Sequence, residues 1–303
     1  MSATPADTNA THIEPGADHI DLRLAIQNIN ALPAMPAIAQ KLLALEMDTD
    51  EGEREVLRLI EQDPQISAKI IGLANSPIIG ATRKITSVGA AAMLLGSARI
   101  KSLATGIAIM SLMNRVPAGR LNMQDLWLHS FGIAFGMVGI AQDMPAKNRP
   151  PVEVMFVAGM LHDIGYLILA FLDPKRSDEL HARLAAHVDR PSLAVEHEIL
   201  EICHDELGAE LARHWNLPEE IIAVLRYHHT PDAAAAADQP LVRMINLTEK
   251  LLPSFGMNEQ VDTRISTAEW EALGIYPAKA EEIKVQVEEH AELAKQAVML
   301  ASI

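Results

Sequence analysis

Val154–Leu172 reads VMFVAGMLHDIGYLILAFL, an apolar run interrupted by one titratable pair, His162-Asp163. A histidine and a carboxylate are costly to desolvate, so burying both demands compensation. Two compensations are open. The pair can be satisfied within the core, the histidine donating to a carbonyl and the aspartate capping a turn. Alternatively it can hold a divalent cation, since imidazole and carboxylate suit Zn, Mn or Fe. Taken alone, the dipeptide favours the satisfied core pair. The run is about long enough to span a bilayer, but its central His-Asp pair and the glycine behind it argue against membrane insertion.

Outward from this run the chain reads as helix. It has 303 residues, 49% of them hydrophobic and only 4% aromatic. That length supports a large core, and the abundance of Leu and Ala favours helices. Helical segments are expected at Asp21–Ile29, Ile38–Leu45, Glu51–Glu61, Gln65–Ala74, Ser87–Leu95 and Ala98–Met113. Asp63-Pro64 opens the fourth of these with an Asp cap and Pro at the first helical position. Pro117 and Gly119 make Val116–Asn122 the clearest joint. Beyond it are expected Asp125–Gln142, a loop at Asp143–Pro151, the region of His162, a turn at Pro174–Ser177, one long helix over Ser192–Trp215, a helix from Pro218 to His228-His229, and Gln239–Leu252. Ala278–Met299 closes the chain as an amphipathic helix, with Ile283, Val287, Ala291, Ala294 and Val298 on one stripe. No paired strands are visible, and the expected fold class is all-α.

The single cysteine, Cys203, excludes an internal disulfide framework and fits a reducing compartment. Residues 1–20 lack a signal-peptide pattern and read as a disordered leader, so a cytoplasmic protein is expected. A net charge of −15 disfavours nucleic acid and anionic membranes. The charge is uneven, however. From Pro64 to Asp125 there is no acidic residue, whereas Lys69, Arg83, Lys84, Arg99, Lys101, Arg115 and Arg120 are basic. These are dispersed rather than clustered, which favours scattered surface charge over a dedicated patch for an acidic partner.

Four helices carry candidate ligands: His129 in WLHS, His162-Asp163, His204 in HDELGAEL, and His228-His229 in RYHH. Histidines on separate helices can converge in a bundle core, as helical metal sites do. Each also has an ordinary alternative, such as a helix C-terminal cap for His228-His229. The other histidines, His12, His19, His181, His187, His197, His214 and His290, lie in polar contexts and read as surface residues.

This order of motifs resembles the HD superfamily of metal-dependent phosphohydrolases and its HD-GYP branch. It is more similar to the HDOD domain, a helical HD-related output module of bacterial signalling proteins. The resemblance is carried by LPAMPAIAQKLLAL (Leu32–Leu45), DPQISAKIIGLANS (Asp63–Ser76), WLHS (Trp127–Ser130), AGMLHDIGYL (Ala158–Leu167), HDELGAELARHWNLP (His204–Pro218) and YHHTP (Tyr227–Pro231). It implies an HDOD-like domain over residues 21–252, split into an N-terminal helical lobe (21–115) and an HD-like lobe (123–252), with 253–303 as a helical extension. It also implies His129, His162, Asp163, His204, His228 and His229 as ligands of a vestigial metal site. No cofactor is required, although a divalent ion (Fe, Mn, Zn or Mg) could occupy it.

Two departures set the expected function. Catalytic relatives use a further aspartate where this chain has Asn246, and an amide is a poorer ligand for a hard ion. HD-GYP proteins carry a lysine where this chain has Tyr166, so a phosphate-facing point charge is lost; the GYP segment is absent as well. The expectation is a non-catalytic regulatory module that binds signalling proteins or a small ligand, with self-association left open. The alternative is a metal-dependent phosphohydrolase acting on nucleotides or cyclic dinucleotides.

Overall fold

Polar residues at the helix starts set much of the segmentation. The Asp63 carboxylate accepts from the backbone N–H of Gln65 and Ile66, Asn122 accepts from Gln124 and Asp125, and Ser87 accepts from Ala90. Such caps satisfy the orphan donors of a first turn and are each worth about 1 kcal/mol. The computed structural model describes residues 20–27, 32–76, 79–112, 116–257 and 262–301, and no strand occurs among them. The leader expected at 1–20 lies outside these apart from Ile20. The fold class is all-α, as the sequence implies.

The first helices are α1 (Leu22–Gln27), α2 (Ala37–Ala44), α3 (Asp50–Glu61), α4 (Pro64–Ala74), α5 (Val88–Leu95) and α6 (Ser97–Met110). Gly96 turns the chain between α5 and α6 by 120°, at φ +90°, a conformation open to glycine and strained for other residues. After the joint come α7 (Met123–Ala141), α8 (Val152–Leu161), α9 (Ile164–Leu172), α10 (Pro174–Ala186), α11 (Ser192–Ile199), α12 (His204–His214), α13 (Glu219–Tyr227) and α14 (Gln239–Leu251). A short α15 (Thr267–Ala272) and a long α16 (Ala280–Ala301) complete the order.

Helix α7 is the axis of the second half. It packs against α8, α14 and α16, and every residue from His129 to Ala141 is buried. Phe131, Phe135 and Phe156 stack across the α7–α8 contact with ring centroids 5.2–6.3 Å apart. Such aromatic pairs add about 0.5–1.5 kcal/mol beyond their area. On the tail helix, Ile283, Val287, Ala291 and Ala294 are buried as the stripe requires; the Val298 side chain lies outside the described residues. The two halves meet where α6 lies on α8.

The structure corrects several expectations. Pro174–Ser177 is the first turn of α10, with Asp173 as cap and Pro174 at the position where a missing N–H costs least. Ser192–Trp215 is two helices, broken between Leu200 and Cys203, because the Glu196 carboxylate takes the His204 backbone N–H and starts a new helix there. Nor are all the remaining histidines on the surface. His181 rests edge-on against Tyr166 at 5.5 Å, and half-buried His214 meets the Ile26 carbonyl at 2.6 Å. Half-buried His290 bonds its own helix at the Gln286 carbonyl. His187 is half-buried and His197 is exposed, whereas His12 and His19 lie outside the described residues. The apolar run Val152–Leu172 is long enough for a membrane span, and 89% of its most apolar window is buried within the protein. Its hydrophobicity is that of a core hairpin.

Candidate metal centre

Helix ends converge on one point in the second half of the chain. His162 closes α8 and Asp163 opens α9, with Asp163 at φ −101°, ψ 13°, the sparsely populated bridge region that frequently hosts functional residues. His204 is the first residue of α12, His228 closes α13 with His229 behind it, and His129 projects from α7. Close approach is possible because of glycine. A Cβ on Gly165 would lie 1.9 Å from the His204 carbonyl oxygen, and one on Gly159 would lie 2.7 Å from Ala134 Cα.

All six expected residues come together. Asp163 is the hub: its oxygens lie 3.0 Å from His162 Nε2, 3.2 Å from His129 Nε2, 3.5 Å from His228 Nε2 and 3.7 Å from His204 Nε2. The approaches are close but poorly aligned, and neither Asp163 oxygen receives a well-formed hydrogen bond. Burial would raise the Asp163 carboxyl, but the neighbouring His162, His129 and His228 outweigh it and hold it well below 3.8. His204 Nε2 lies 3.2 Å from both His228 Nε2 and His229 Nε2, and His129 Nε2 lies 3.1 Å from His162 Nε2. Two groups of ligand atoms result, His129–His162–Asp163 and His204–His228–His229.

The outer nitrogens define the tautomers. His162 Nδ1 faces the Gly159 carbonyl at 2.8 Å, His228 Nδ1 faces the Val224 and Leu225 carbonyls, and His204 Nδ1 faces the Glu196 carboxylate at 2.7 Å. Each of these partners only accepts, so each Nδ1 carries the proton. In the neutral rings the Nε2 lone pairs then converge on one another and on an anionic carboxylate. That arrangement is repulsive unless a cation or added protons sit among them. Nitrogen separations of 3.1–3.2 Å are close to the roughly 3.4 Å edge of a tetrahedral site with 2.0–2.1 Å metal bonds. Outer-shell acceptors on ligand histidines are typical of metal sites, so this donor set fits a divalent ion. Some of the repulsion is relieved by protonation. Burial lowers the His228 ring, yet Asp163 and Glu249 outweigh it and raise it above 6.5. His229 moves the other way, pushed well below 6.5 by burial and by His228 and His204.

Glu249 and Glu196 are not foreseen in the sequence, and Asn246 and Tyr166 are read there only as departures from catalytic relatives. Asn246 donates its amide to the His228 carbonyl at 2.8 Å and braces the backbone. A buried carboxylate instead comes from Glu249, one turn further along α14, with Oε1 3.5 Å from His162 Nε2. The centre therefore does not lack a second carboxylate. The available hint was Glu249 falling on the apolar stripe of α14, four residues after Ile245 and seven after Val242. Glu196 and Tyr166 act together on His204. Fully buried Tyr166 stacks on His204 with centroids 4.2 Å apart and donates its hydroxyl to Glu196 at 2.9 Å. Burial would raise Glu196, but His204 and Tyr166 hold it below 4.5. No spacing rule points to a glutamate eight residues before the histidine it orients.

The HDOD domain profile matches residues 32–231, which takes in every histidine and the aspartate of this centre. This chain belongs to the HDOD family. It is similar to an HDOD domain protein of unknown function from Geobacter sulfurreducens, at 25% identity and TM-score 0.69, covering 89% of this chain and 99% of that one. A protein of Marinobacter aquaeolei VT8, provisionally named for signal transduction, shares the fold at 24% identity and TM-score 0.76, covering 93% of this chain and 64% of that one. An uncharacterized protein of Treponema pallidum (strain Nichols) is 22% identical over 245 residues. The chain spans 47% of that protein's length.

Proposed function

We infer that this HDOD protein is a non-catalytic regulatory module whose histidine–aspartate centre organises the domain instead of turning over a substrate. One observation carries the reading: His162, Asp163, His204 and His228 are each 0% exposed. A phosphoester needs direct access to a cation and to an activated water, and here side chains fill that space. Tyr166 strengthens the case, because its ring covers His204 where the HD-GYP lysine would meet a phosphate. A divalent ion, held by His129, His162, Asp163, His204, His228 and His229 with Glu249 at the edge, would supply charge neutralisation at this point. In the regulatory reading it tethers α7, α8, α9, α12 and α13 to one another. The provisional name of the Marinobacter relative supports a signalling role. We further propose two lobes, 21–115 and 123–252, joined at 116–122 and extended by 253–303. The partners would be cytoplasmic signalling proteins, with nucleic acid disfavoured by the charge of −15.

The test is a turnover assay with Mn, Fe and Mg ions against cyclic dinucleotides, nucleotides and generic phosphodiesters, alongside metal analysis of the purified protein. No turnover is expected. Turnover that Asp163→Ala abolishes would replace this reading with the phosphohydrolase one.

A further inference from the structure

Helices α8 and α13 both end at the histidine–aspartate centre. Their opposite ends, together with α2 and α6, line a half-open cavity of about 180 Å³ on the seam between the two halves. Leu43, Val154, Val157, Leu217 and Ile221 make it apolar. Two opposite charges also line it, Lys101 from α6 and Glu153 from α8.

Lys101 is 8% exposed, and its ammonium gives one proton to the Leu45 carbonyl at 2.6 Å. Neither Lys101 nor Glu153 forms an ion pair among the described residues. Burial pulls the Lys101 ammonium below 10.5, and the Glu153 charge acts in the opposite direction, so the two sense each other without touching. A largely buried ammonium with no carboxylate bound to it is costly to maintain. The nearby hydroxyls do not relieve it: Ser102 donates to the Ala98 carbonyl and Thr105 to the Lys101 carbonyl, both within α6.

A ligand matching this site carries an anion for Lys101, a cation for Glu153 and a short aliphatic body for the walls, within a leucine-sized volume. We propose that the seam cavity binds a free aliphatic α-amino acid, its carboxylate on Lys101, its ammonium at Glu153 and its side chain among Leu43, Val157 and Ile221. The walls come from both halves of the chain, so occupancy draws α2 and α6 onto the two helices that lead to His162 and His228. The site is separate from the centre, and the proposal holds whether or not the centre is catalytic.

The test is calorimetric titration of the full chain with L-valine, L-leucine and L-isoleucine. Two truncated probes accompany them: 4-methylpentanoate, which lacks the ammonium, and isopentylamine, which lacks the carboxylate. Saturable binding of at least one amino acid is expected, with both truncated probes weaker by about tenfold or more. Lys101→Met and Glu153→Gln should each weaken binding by at least about tenfold, with metal content unchanged. Leu217→Trp, which fills the cavity without touching either charge, should abolish binding and keeps the test decisive if Lys101→Met fails to fold. The proposal is overturned if no amino acid binds at about 10 mM, a level that would detect even millimolar affinity. It is also overturned if 4-methylpentanoate binds as tightly as leucine, or if Leu217→Trp leaves binding intact.

Discussion

Replacing Gly165 by alanine probes how the centre is assembled. The added methyl would lie 1.9 Å from the His204 carbonyl oxygen, 2.6 Å from its carbonyl carbon and 2.8 Å from its Cα. These atoms are backbone at the start of α12 and cannot rotate away. Reaching ordinary contact requires α12 and α9 to separate by roughly 1.5 Å, whereas metal–ligand distances tolerate about 0.2 Å. Overpacking a well-filled interior costs about 1–3 kcal/mol and sometimes more, and rigid backbone on both sides places this case at the upper end. With an unfolding entropy of about 2.1 cal/mol/K per residue, 3 kcal/mol over 303 residues lowers Tm by about 5 °C. Gly89→Ala is the internal control. Gly89 lies within α5, a Cβ there meets nothing within 4 Å, and the substitution should stabilise by about 0.5–1 kcal/mol. The assay is calorimetric unfolding with metal content measured by mass spectrometry. If Gly165→Ala matches the wild type in Tm and in metal per chain, the account of α9–α12 contact as the determinant of His204 placement is wrong.

Glu196→Gln should weaken metal binding by about 10–100-fold with little change in helical content, because it removes the carboxylate that orients His204; competition with a chelator measures this. Tyr166→Phe removes only the hydroxyl donated to Glu196 and should lower stability by about 0.5–1.5 kcal/mol, read in urea titrations. Tyr166→Lys, alone or with Asn246→Asp, should yield no phosphodiester turnover, since neither change opens the buried centre; measurable turnover would count against the regulatory reading. For His181, burial lowers the ring below 6.5. Its contribution is therefore fully present above pH 6.5 and fades as pH falls, because the unfolded chain takes up the proton first. In metal-free protein, His181→Phe should flatten the stability slope just below pH 6.5, as seen in denaturant midpoints measured across that range.

Legibility from sequence depended on how local each determinant is. Asp63-Pro64 announced a helix start because capping is settled within four residues. The convergence of His129, His162, Asp163, His204 and His228 followed from motif order, since buried imidazoles at helix ends demand company. The broken helix at Leu200–Cys203 was opaque, because it depends on Glu196 meeting the His204 N–H across a fold not yet formed. Pro174 was read as a turn for a related reason: proline both ends and begins helices, and the Asp173 cap decides between them. At Asn246 the sequence marks a missing carboxylate but not the one that α14 supplies nearby. Helix α14 presents Glu249 one turn later, and only packing shows which of the two faces His162.

Helix α7 has no wet side over His129–Ala141, and that bears on how a message could cross the molecule. A rod wedged on every flank cannot roll or slide by fractions of a turn. It stays in register, or it shifts together with the neighbours that grip it. His129 is therefore a fixed datum against which the helix ends at His162, His204 and His228 are gauged. Any rearrangement at the centre would be a movement of those ends relative to a stationary α7. Helix α16, clasped along the same rod, makes the distal part of the chain a stiff handle on that reference rather than a loose appendage.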